Sequence, residues 1–267
     1  MAGVVIIIPA RFESSRYPGK PLALLRDGAG EAKPLIQRSW EAARRVPGIG
    51  AVYVATDHAA IAEAAGQFGA EVLMTSGDCR NGTERCAEAL DQLAERPDIV
   101  VNLQGDAPLT PAYFVTALVD ALAGEEGAAV ATPAIRCSRD HLAELRAEEA
   151  RGRVGGTTVV SNAQGRALYF SKRIIPHFDL AAAGGEVTPV RLHIGVYAYT
   201  PAALAQYRAT PPTELERLEG LEQLRFLDSG VPIRVAEVLA PPWQIWELNN
   251  PSDVVPIEAA LARMDAA

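Results

Sequence analysis

Short, continuous runs of apolar and β-branched residues recur along the first half of the chain, and stretches with helical spacing separate them. The first run covers residues 4–8, and similar runs follow at residues 51–55, 99–103 and 128–132. Such runs are typical of strands that are buried on both faces of a parallel sheet. Apolar residues recur at helical spacing within residues 35–45, 59–68, 83–94 and 111–122. This alternation predicts an α/β fold with a mainly parallel, doubly wound sheet.

The pattern changes after about residue 133, where shorter elements follow one another without regular alternation. Residues 139–150 read as a polar helix, and residues 157–161 and 167–171 read as antiparallel strands joined by a turn. We therefore expect a single domain over residues 1–267 that carries an antiparallel arm at about residues 150–205. The other predicted elements are strands at 191–200 and 233–238, helices at 221–227 and 251–264, and a mobile loop at 28–33.

Charge and composition exclude several classes of protein. A net charge of -8 argues against a nucleic-acid surface, where clustered positive charge would be expected. No apolar run approaches the length of a membrane span, and the first residues lack the pattern of a signal peptide. Three cysteines without CxxC spacing indicate a reducing compartment. We expect a cytoplasmic protein that binds neither nucleic acid nor membrane.

The strongest local signal is a cationic turn, residues 9–20, that directly follows the first predicted strand. It places Arg11, Arg16 and Lys20 within ten residues, together with small residues and a glycine. Ligands of open parallel sheets bind beyond the carboxyl ends of the strands, and backbone N–H groups can approach phosphate oxygens there. Composition alone fits a basic surface loop equally well. Neither the Walker spacing nor the dinucleotide fingerprint is present, which argues against an NAD-linked oxidoreductase.

The order of residues in this turn, IPAR followed by a serine, an arginine and PGKPL, resembles the signature of the 3-deoxy-manno-octulosonate (Kdo) cytidylyltransferase family. The resemblance implies a Rossmann-like, GT-A-type nucleotidyltransferase fold and a homodimer formed through the antiparallel arm. It also implies CMP transfer from CTP to a small acidic acceptor such as Kdo. Further matching stretches are VATD at 54–57, NGTER at 81–85, VNLQGD at 101–106, ALYFS at 167–171, HIGVY at 193–197 and LEQLR at 221–225.

The same resemblance assigns roles to individual residues. Arg11, Lys20 and Asp106 are the expected catalytic residues. Asp106 follows a predicted strand, where a carboxylate suits Mg²⁺, although a helix N-cap is the ordinary alternative. The expected nucleotide-binding residues are Pro9, Ala10, Arg11, Arg16, Lys20, Thr75, Ser76, Gly82 and Arg85. The expected acceptor-binding residues are Gln104, His193, Tyr197, Glu222 and Gln223, and the expected metal ligands are Asp106 and Asn249.

The sequence departs from the family pattern at Cys79, Ala107, Thr158 and Asn249. Ala107 and Asn249 stand where the family usually has carboxylates, the second of them a metal ligand. Random drift is one explanation for the loss of these two carboxylates. A changed acceptor, such as the phosphonate phosphonoformate, is another. Glu247 or Asp253 is a further candidate for replacing the lost aspartate. A catalytically impaired nucleotide-binding protein is the alternative of another class, and the retained Arg11, Lys20, Gln104 and Asp106 argue against it.

Overall fold

The computed structural model describes residues 3–14, 16–124, 127–180 and 185–265. The chain divides into two compact units. The first comprises residues 1–116, 199–205 and 241–267, and the second comprises residues 117–198 and 206–240. Within the described ranges, no helix is long and apolar enough to cross a membrane.

The first unit contains a parallel sheet with the strand order β5-β4-β1-β6. In this sheet Ala10 at the end of β1 pairs with Thr56 of β4, and Ile7 pairs with Asn102 of β6. The elements up to residue 123 are β1 (Val4–Ala10), a 3-10 helix (Lys20–Leu22), β2 (Leu24–Arg26), β3 (Ala32–Pro34), α1 (Leu35–Arg44), β4 (Ala51–Thr56), α2 (Ala59–Gln67), β5 (Glu71–Met74), α3 (Gly82–Leu90), β6 (Ile99–Leu103) and α4 (Ala112–Ala123).

Burial is most complete in β1 and β6, which are neighbours in this sheet. Ile6, Ile7 and Ile8 are fully buried, and every residue of β6 is buried. The two strands end close together, because a Cβ atom added to Gly105 would lie only 2.7 Å from the carbonyl oxygen of Pro9. Glycine is therefore required just beyond β6. The segments that follow these two strands are thereby brought to one edge of the sheet.

The second unit is built mainly from antiparallel strands. Its strand order is β11-β7-β10-β8-β9, with β12 parallel to β7. β8 pairs antiparallel with β9, as predicted for residues 157–161 and 167–171, and β10 pairs antiparallel with β7 and β8. The arm as a distinct part of the domain stays a prediction. The remaining elements are β7 (Val130–Ser138), α5 (Arg139–Ala150), β8 (Thr158–Ser161), β9 (Ala167–Ser171), β10 (Val187–His193), β11 (Val196–Tyr199), α6 (Pro201–Ala209), α7 (Glu214–Glu219), α8 (Leu224–Asp228), β12 (Ile233–Glu237), a 3-10 helix (Pro251–Asp253) and α9 (Val254–Asp265).

Some of the elements predicted after residue 127 differ from those observed. The single strand predicted at residues 191–200 is wrong, because the chain forms β10 and β11 with a break between them. At this break the backbone N–H of Val196 donates to the carbonyl oxygen of Ile194 at 2.7 Å, which is a tight turn. The strand predicted at residues 128–132 begins later, at Val130, and continues to Ser138. The helix predicted at 221–227 begins only at Leu224.

The segment predicted as a mobile loop, residues 28–33, belongs partly to a two-stranded ribbon. Lys33 lies in β3 and pairs with Leu25 of β2. The Asp27 carboxylate accepts backbone hydrogen bonds from Ala29 and Glu31 at 3.0 and 2.9 Å, and it forms an ion pair with Arg38 at 3.1 Å. The carboxylate of Asp27 therefore stabilises the turn of the ribbon through hydrogen bonds to its backbone. The polar composition of the segment had suggested a mobile loop instead.

Candidate active site

A cavity of about 260 Å³ opens in the first unit at the carboxyl ends of β1 and β6. The cationic turn forms one side of this cavity, and the start of α3 forms another. The segment after β6 and a segment near residue 249 complete it. The residues that line it are Pro9, Ala10, Arg11, Arg16, Lys20, Pro21, Leu35, Cys79, Arg80, Asn81, Gly82, Arg85, Gln104, Gly105, Asp106 and Asn249.

Positive charge dominates this cavity. Among the described lining residues, five side chains are cationic: Arg11, Arg16, Lys20, Arg80 and Arg85. Lys20 forms an ion pair with the Asp106 carboxylate, and Arg16 donates to the amide oxygen of Asn249 at 2.8 Å. These contacts fix Lys20 and Arg16 along the walls. A concave, cationic site of this kind attracts a polyanion such as a nucleoside triphosphate.

The amino terminus of α3 adds to this attraction. Gly82, the first residue of α3, lines the cavity, and the Asn81 side chain caps the helix by accepting from the backbone N–H of Glu84 at 2.9 Å. A Cβ atom on Gly82 would lie 3.1 Å from the side-chain nitrogen of Gln104. Glycine therefore allows the helix to begin close to Gln104. The partial positive charge of a helix amino terminus favours anions.

Asp106 and Asn249 are brought together by the backbone that precedes α9. The N–H of Leu248 donates to the carbonyl oxygen of Asp106 at 2.9 Å, and the Leu248 side chain is fully buried. The neighbours of Leu248 along the chain are Glu247 and Asn249, whose side chains lie 3.5 Å apart. Burial, together with the negative charge of Asp106, raises the pKa of the Glu247 carboxyl to about 7. A second acidic group therefore lies near Asp106.

The oxygen atoms around Asp106 have the chemistry that suits Mg²⁺, which prefers hard carboxylate and carbonyl ligands. Asp253 is occupied differently, because one of its oxygens accepts from the backbone N–H groups of Asn249 and Asn250 at 2.9 and 2.6 Å. In the described part of the chain, no three His, Cys, Asp or Glu side chains are placed to hold a metal together. The side chains near Asp106 would supply only part of the coordination of a Mg²⁺ ion, and phosphate oxygens of a bound nucleotide would supply further ligands.

Most of the predicted nucleotide-binding residues lie at this cavity. Thr75 and Ser76 are not among the lining residues: the Thr75 hydroxyl accepts from Arg85, and the Ser76 N–H donates to Glu88 at 2.6 Å. Arg85 also donates to Asp57 at 2.9 Å. The predicted residues that do line the cavity are Pro9, Ala10, Arg11, Arg16, Lys20, Gly82, Arg85, Gln104, Asp106 and Asn249.

Sequence reasoning missed several lining residues, of which Arg80 and Cys79 matter most. Arg80 immediately precedes the N-cap residue of α3 and forms an ion pair with Glu84 at 2.7 Å. The sequence could have indicated Arg80 as a cavity residue, because it directly precedes the matched NGTER stretch. Burial raises the pKa of the Cys79 thiol to about 11, and its hydrogen bond to Glu88 acts in the same direction. A thiol that stays neutral is a poor nucleophile, so Cys79 serves as a packing residue of the cavity wall.

Four of the predicted acceptor-binding residues lie in the second unit. His193 is buried, its Nε2 lies 2.9 Å from the Thr132 hydroxyl, and its ring meets Phe170 edge to face. The Tyr197 hydroxyl donates to the side-chain oxygen of Gln223 at 3.1 Å. The carbonyl of Glu222 accepts from Tyr207 at 3.2 Å. These contacts order the side chains, and their role in binding an acceptor stays a prediction.

Burial lowers the pKa of His193 to about 3, from an ordinary value of 6.5, and this shift couples stability to pH. Between these values the unfolded chain binds a proton that the folded chain does not, so the free energy of unfolding falls as the pH falls. We expect the free energy of unfolding to drop between pH 7.5 and 4.5 by about 2 kcal/mol more in the native protein than in His193→Gln. Urea denaturation measures this difference, and parallel pH profiles for the two proteins would contradict it.

The comparison with known families is decisive for the class of enzyme. The family model described as cytidylyltransferase matches residues 5–233. The chain belongs to the cytidylyltransferase family. This match confirms the family resemblance seen in the cationic turn. The protein is a CTP-dependent nucleotidyltransferase.

Curated relatives match this cytidylyltransferase over almost its whole length. A 3-deoxy-manno-octulosonate cytidylyltransferase of Maricaulis maris is 42% identical over 97% of this chain and 97% of its own. A protein of the same name from Anaeromyxobacter dehalogenans is 43% identical over 98% of this chain and 99% of its own. The mitochondrial protein of that name from Arabidopsis thaliana is 37% identical over 97% of this chain and 83% of its own.

Solved structures support the same fold. A CMP:2-keto-3-deoxy-manno-octonic acid synthetase complexed with CTP superposes with a TM-score of 0.83 at 34% identity, covering 98% of this chain and 100% of that one. A 4-diphosphocytidyl-2C-methyl-D-erythritol synthase from Anaerococcus prevotii gives a TM-score of 0.58 at 14% identity over 97% of this chain and 96% of its own, a likeness of fold alone. The predicted α/β fold with a mainly parallel sheet is confirmed.

Proposed function

We propose that this cytidylyltransferase transfers CMP from CTP to Kdo and releases pyrophosphate. The observation that carries the proposal is the cavity that gathers Arg11, Lys20 and Asp106 at one edge of the sheet. Curated relatives that share 42–43% identity over nearly the whole chain and are named for Kdo support the choice of acceptor.

In the proposed reaction a hydroxyl oxygen of the acceptor attacks the α-phosphorus of CTP. A bond forms between that oxygen and phosphorus, the bond to the bridging oxygen of pyrophosphate breaks, and the hydroxyl proton is released. Phosphoryl-type transfers depend mainly on positioning and charge neutralisation. Arg11 and Lys20 hold the triphosphate and stabilise the charge that develops on pyrophosphate. Gly82 presents the amino terminus of α3 to the same anion.

We further propose that Mg²⁺ is the cofactor and that Asp106 and Asn249 hold it, with Glu247 as the candidate second carboxylate. The proximity of Glu247 to Asp106 and the capping role of Asp253 favour Glu247 between these two acidic residues. When bound, the ion would neutralise phosphate charge and polarise the reacting oxygens. The chain's own contribution is to hold Asp106 beside Lys20 and to place Asn249 within reach of Arg16.

An acceptor screen tests the proposed function. The purified protein is incubated with CTP and Mg²⁺, and pyrophosphate release is measured with Kdo, other 2-ulosonates and phosphonoformate. We expect turnover with Kdo and formation of CMP-Kdo, identified by mass. Turnover with phosphonoformate and none with Kdo would show that the acceptor is the phosphonate and not Kdo. No pyrophosphate release with any of them, together with retained CTP binding, would favour the nucleotide-binding protein instead.

The proposed partners include a second copy of the chain. In the described part of the arm at residues 150–205, the large apolar side chains Val154, Val187 and Leu168 are exposed at 59%, 53% and 61%. The resemblance to the Kdo cytidylyltransferase family, which implies a homodimer formed through this arm, supports an interface there. We propose a homodimer formed through this arm, which sedimentation analysis at micromolar concentration tests. Cys79, Cys86 and Cys137 are all free thiols, which supports a cytoplasmic location.

A further inference from the structure

Two aromatic rings stack behind the cationic turn. The rings of Phe12 and His58 have centroids 3.9 Å apart and planes inclined by 15°. The sheet register explains this contact. Ala10 of β1 pairs with Thr56 of β4, so Phe12 and His58 each lie two residues beyond a paired position at neighbouring strand ends. Neither ring is among the described residues that line the cavity.

Phe12 also closes the cationic turn. Its carbonyl oxygen accepts a hydrogen bond from the backbone N–H of Gly19 at 2.9 Å. Gly19 has a φ of 70°, a left-handed conformation that suits glycine. Arg11 directly precedes this closing contact and Lys20 directly follows it. The positions of both cations therefore depend on where Phe12 is held.

His58 is fixed from the other side by a second interaction. It is the N-cap residue of α2, and its Nδ1 accepts from the backbone N–H of Ala60 at 3.2 Å. The ring is thus anchored to a helix of the sheet scaffold. It presents one face to Phe12 while its edge caps the helix, so the two functions can be separated by substitution.

We propose that the stack of Phe12 on His58 is a positioning device that keeps the cationic turn in the conformation that binds the triphosphate. This proposal rests on the proposed function, because it takes CTP as the ligand that the turn binds. Without the stack the turn samples other conformations, and CTP binding must then order it. The expected consequence is a higher KM for CTP with little change in kcat, because the bound complex is the same.

The test uses two substitutions that divide the roles of His58. His58→Asn keeps a side-chain acceptor for the helix cap but removes the ring. His58→Phe keeps the ring but removes the cap. We expect His58→Asn to raise the KM for CTP about threefold to tenfold, with kcat changed less than about twofold. We expect His58→Phe to keep a KM near that of the native protein even where its melting temperature is lower.

A second measurement needs no nucleotide. Trypsin can cleave after Arg11 and Arg16, and its rate reports how often the turn opens. We expect His58→Asn and Phe12→Ala to be cleaved there faster than the native protein, and His58→Phe and Phe12→Tyr to resemble it. Equal cleavage rates, or equal KM values, for His58→Asn and His58→Phe would overturn the positioning role. A native protein that does not bind CTP would overturn the proposed function instead, and the cleavage rates would still decide on the stack.

Discussion

Replacing Asp106 by Asn is expected to lower kcat by about a hundredfold to ten-thousandfold while changing the affinity for CTP by less than about tenfold. The substitution keeps the size of the side chain but removes the carboxylate that forms an ion pair with Lys20. The nucleotide would still meet the cations of the cavity wall, so binding is largely retained. The loss is expected in the chemical step, where the carboxylate that we propose to hold Mg²⁺ would act.

Pyrophosphate release measures the turnover of Asp106→Asn, and calorimetry with CTP measures its affinity. Asp140→Asn is the matched control, because Asp140 is exposed in the first turn of α5 and is not among the residues that line the cavity. We expect this control to turn over at the native rate. Near-native turnover by Asp106→Asn would show that Asp106 is not a catalytic ligand.

Replacing Arg225 by Met is expected to destabilise the protein by about 3–5 kcal/mol. The Arg225 side chain is fully buried and donates twice to the Glu216 carboxylate, at 2.7 and 2.6 Å. Its guanidinium lies 4.0 Å from the centre of the Tyr207 ring. Removing one partner of such a pair leaves the other charge buried without compensation, which is far more costly than the loss of an exposed ion pair.

Urea denaturation measures this effect, with Arg217→Met as the control from the same region. Arg217 is exposed on α7, and its loss is expected to cost less than about 1 kcal/mol. The double variant Glu216→Gln/Arg225→Met removes both charges and is expected to be more stable than Arg225→Met alone. Equal destabilisation by Arg225→Met and Arg217→Met would contradict a structural role for the buried pair.

The parts of the structure that local sequence determines were predictable. β1 and β6 were recognised from continuous apolar runs, and β6 was predicted with its observed bounds of Ile99–Leu103. The cationic turn was recognised because its residues are contiguous in sequence. Its function required the family resemblance, since composition alone also fits a surface loop.

The parts that depend on contacts between distant segments were not predictable. The sequence offered both Glu247 and Asp253 as replacements for the lost aspartate and could not choose between them. Glu247 lies near Asp106 because the backbone of Leu248 bonds to Asp106, a contact that no local pattern encodes. Arg225 was recognised as part of a matching motif, but its buried pairing with Glu216 depends on how α7 and α8 pack. The break between β10 and β11 was missed although Gly195 lies in it, because Ile194 and Val196 on its two sides are apolar and continue the strand pattern.

We propose that the cationic turn and Asp106 together bind the triphosphate of CTP at the edge of the parallel sheet. A crystal structure of the protein with CTP and Mg²⁺ would show where the nucleotide binds. We expect density for the triphosphate in the cavity, with phosphate oxygens within hydrogen-bonding distance of Arg11 and Lys20 and the ion on Asp106. A triphosphate bound elsewhere, with those side chains turned away from it, would rule out this mode of binding.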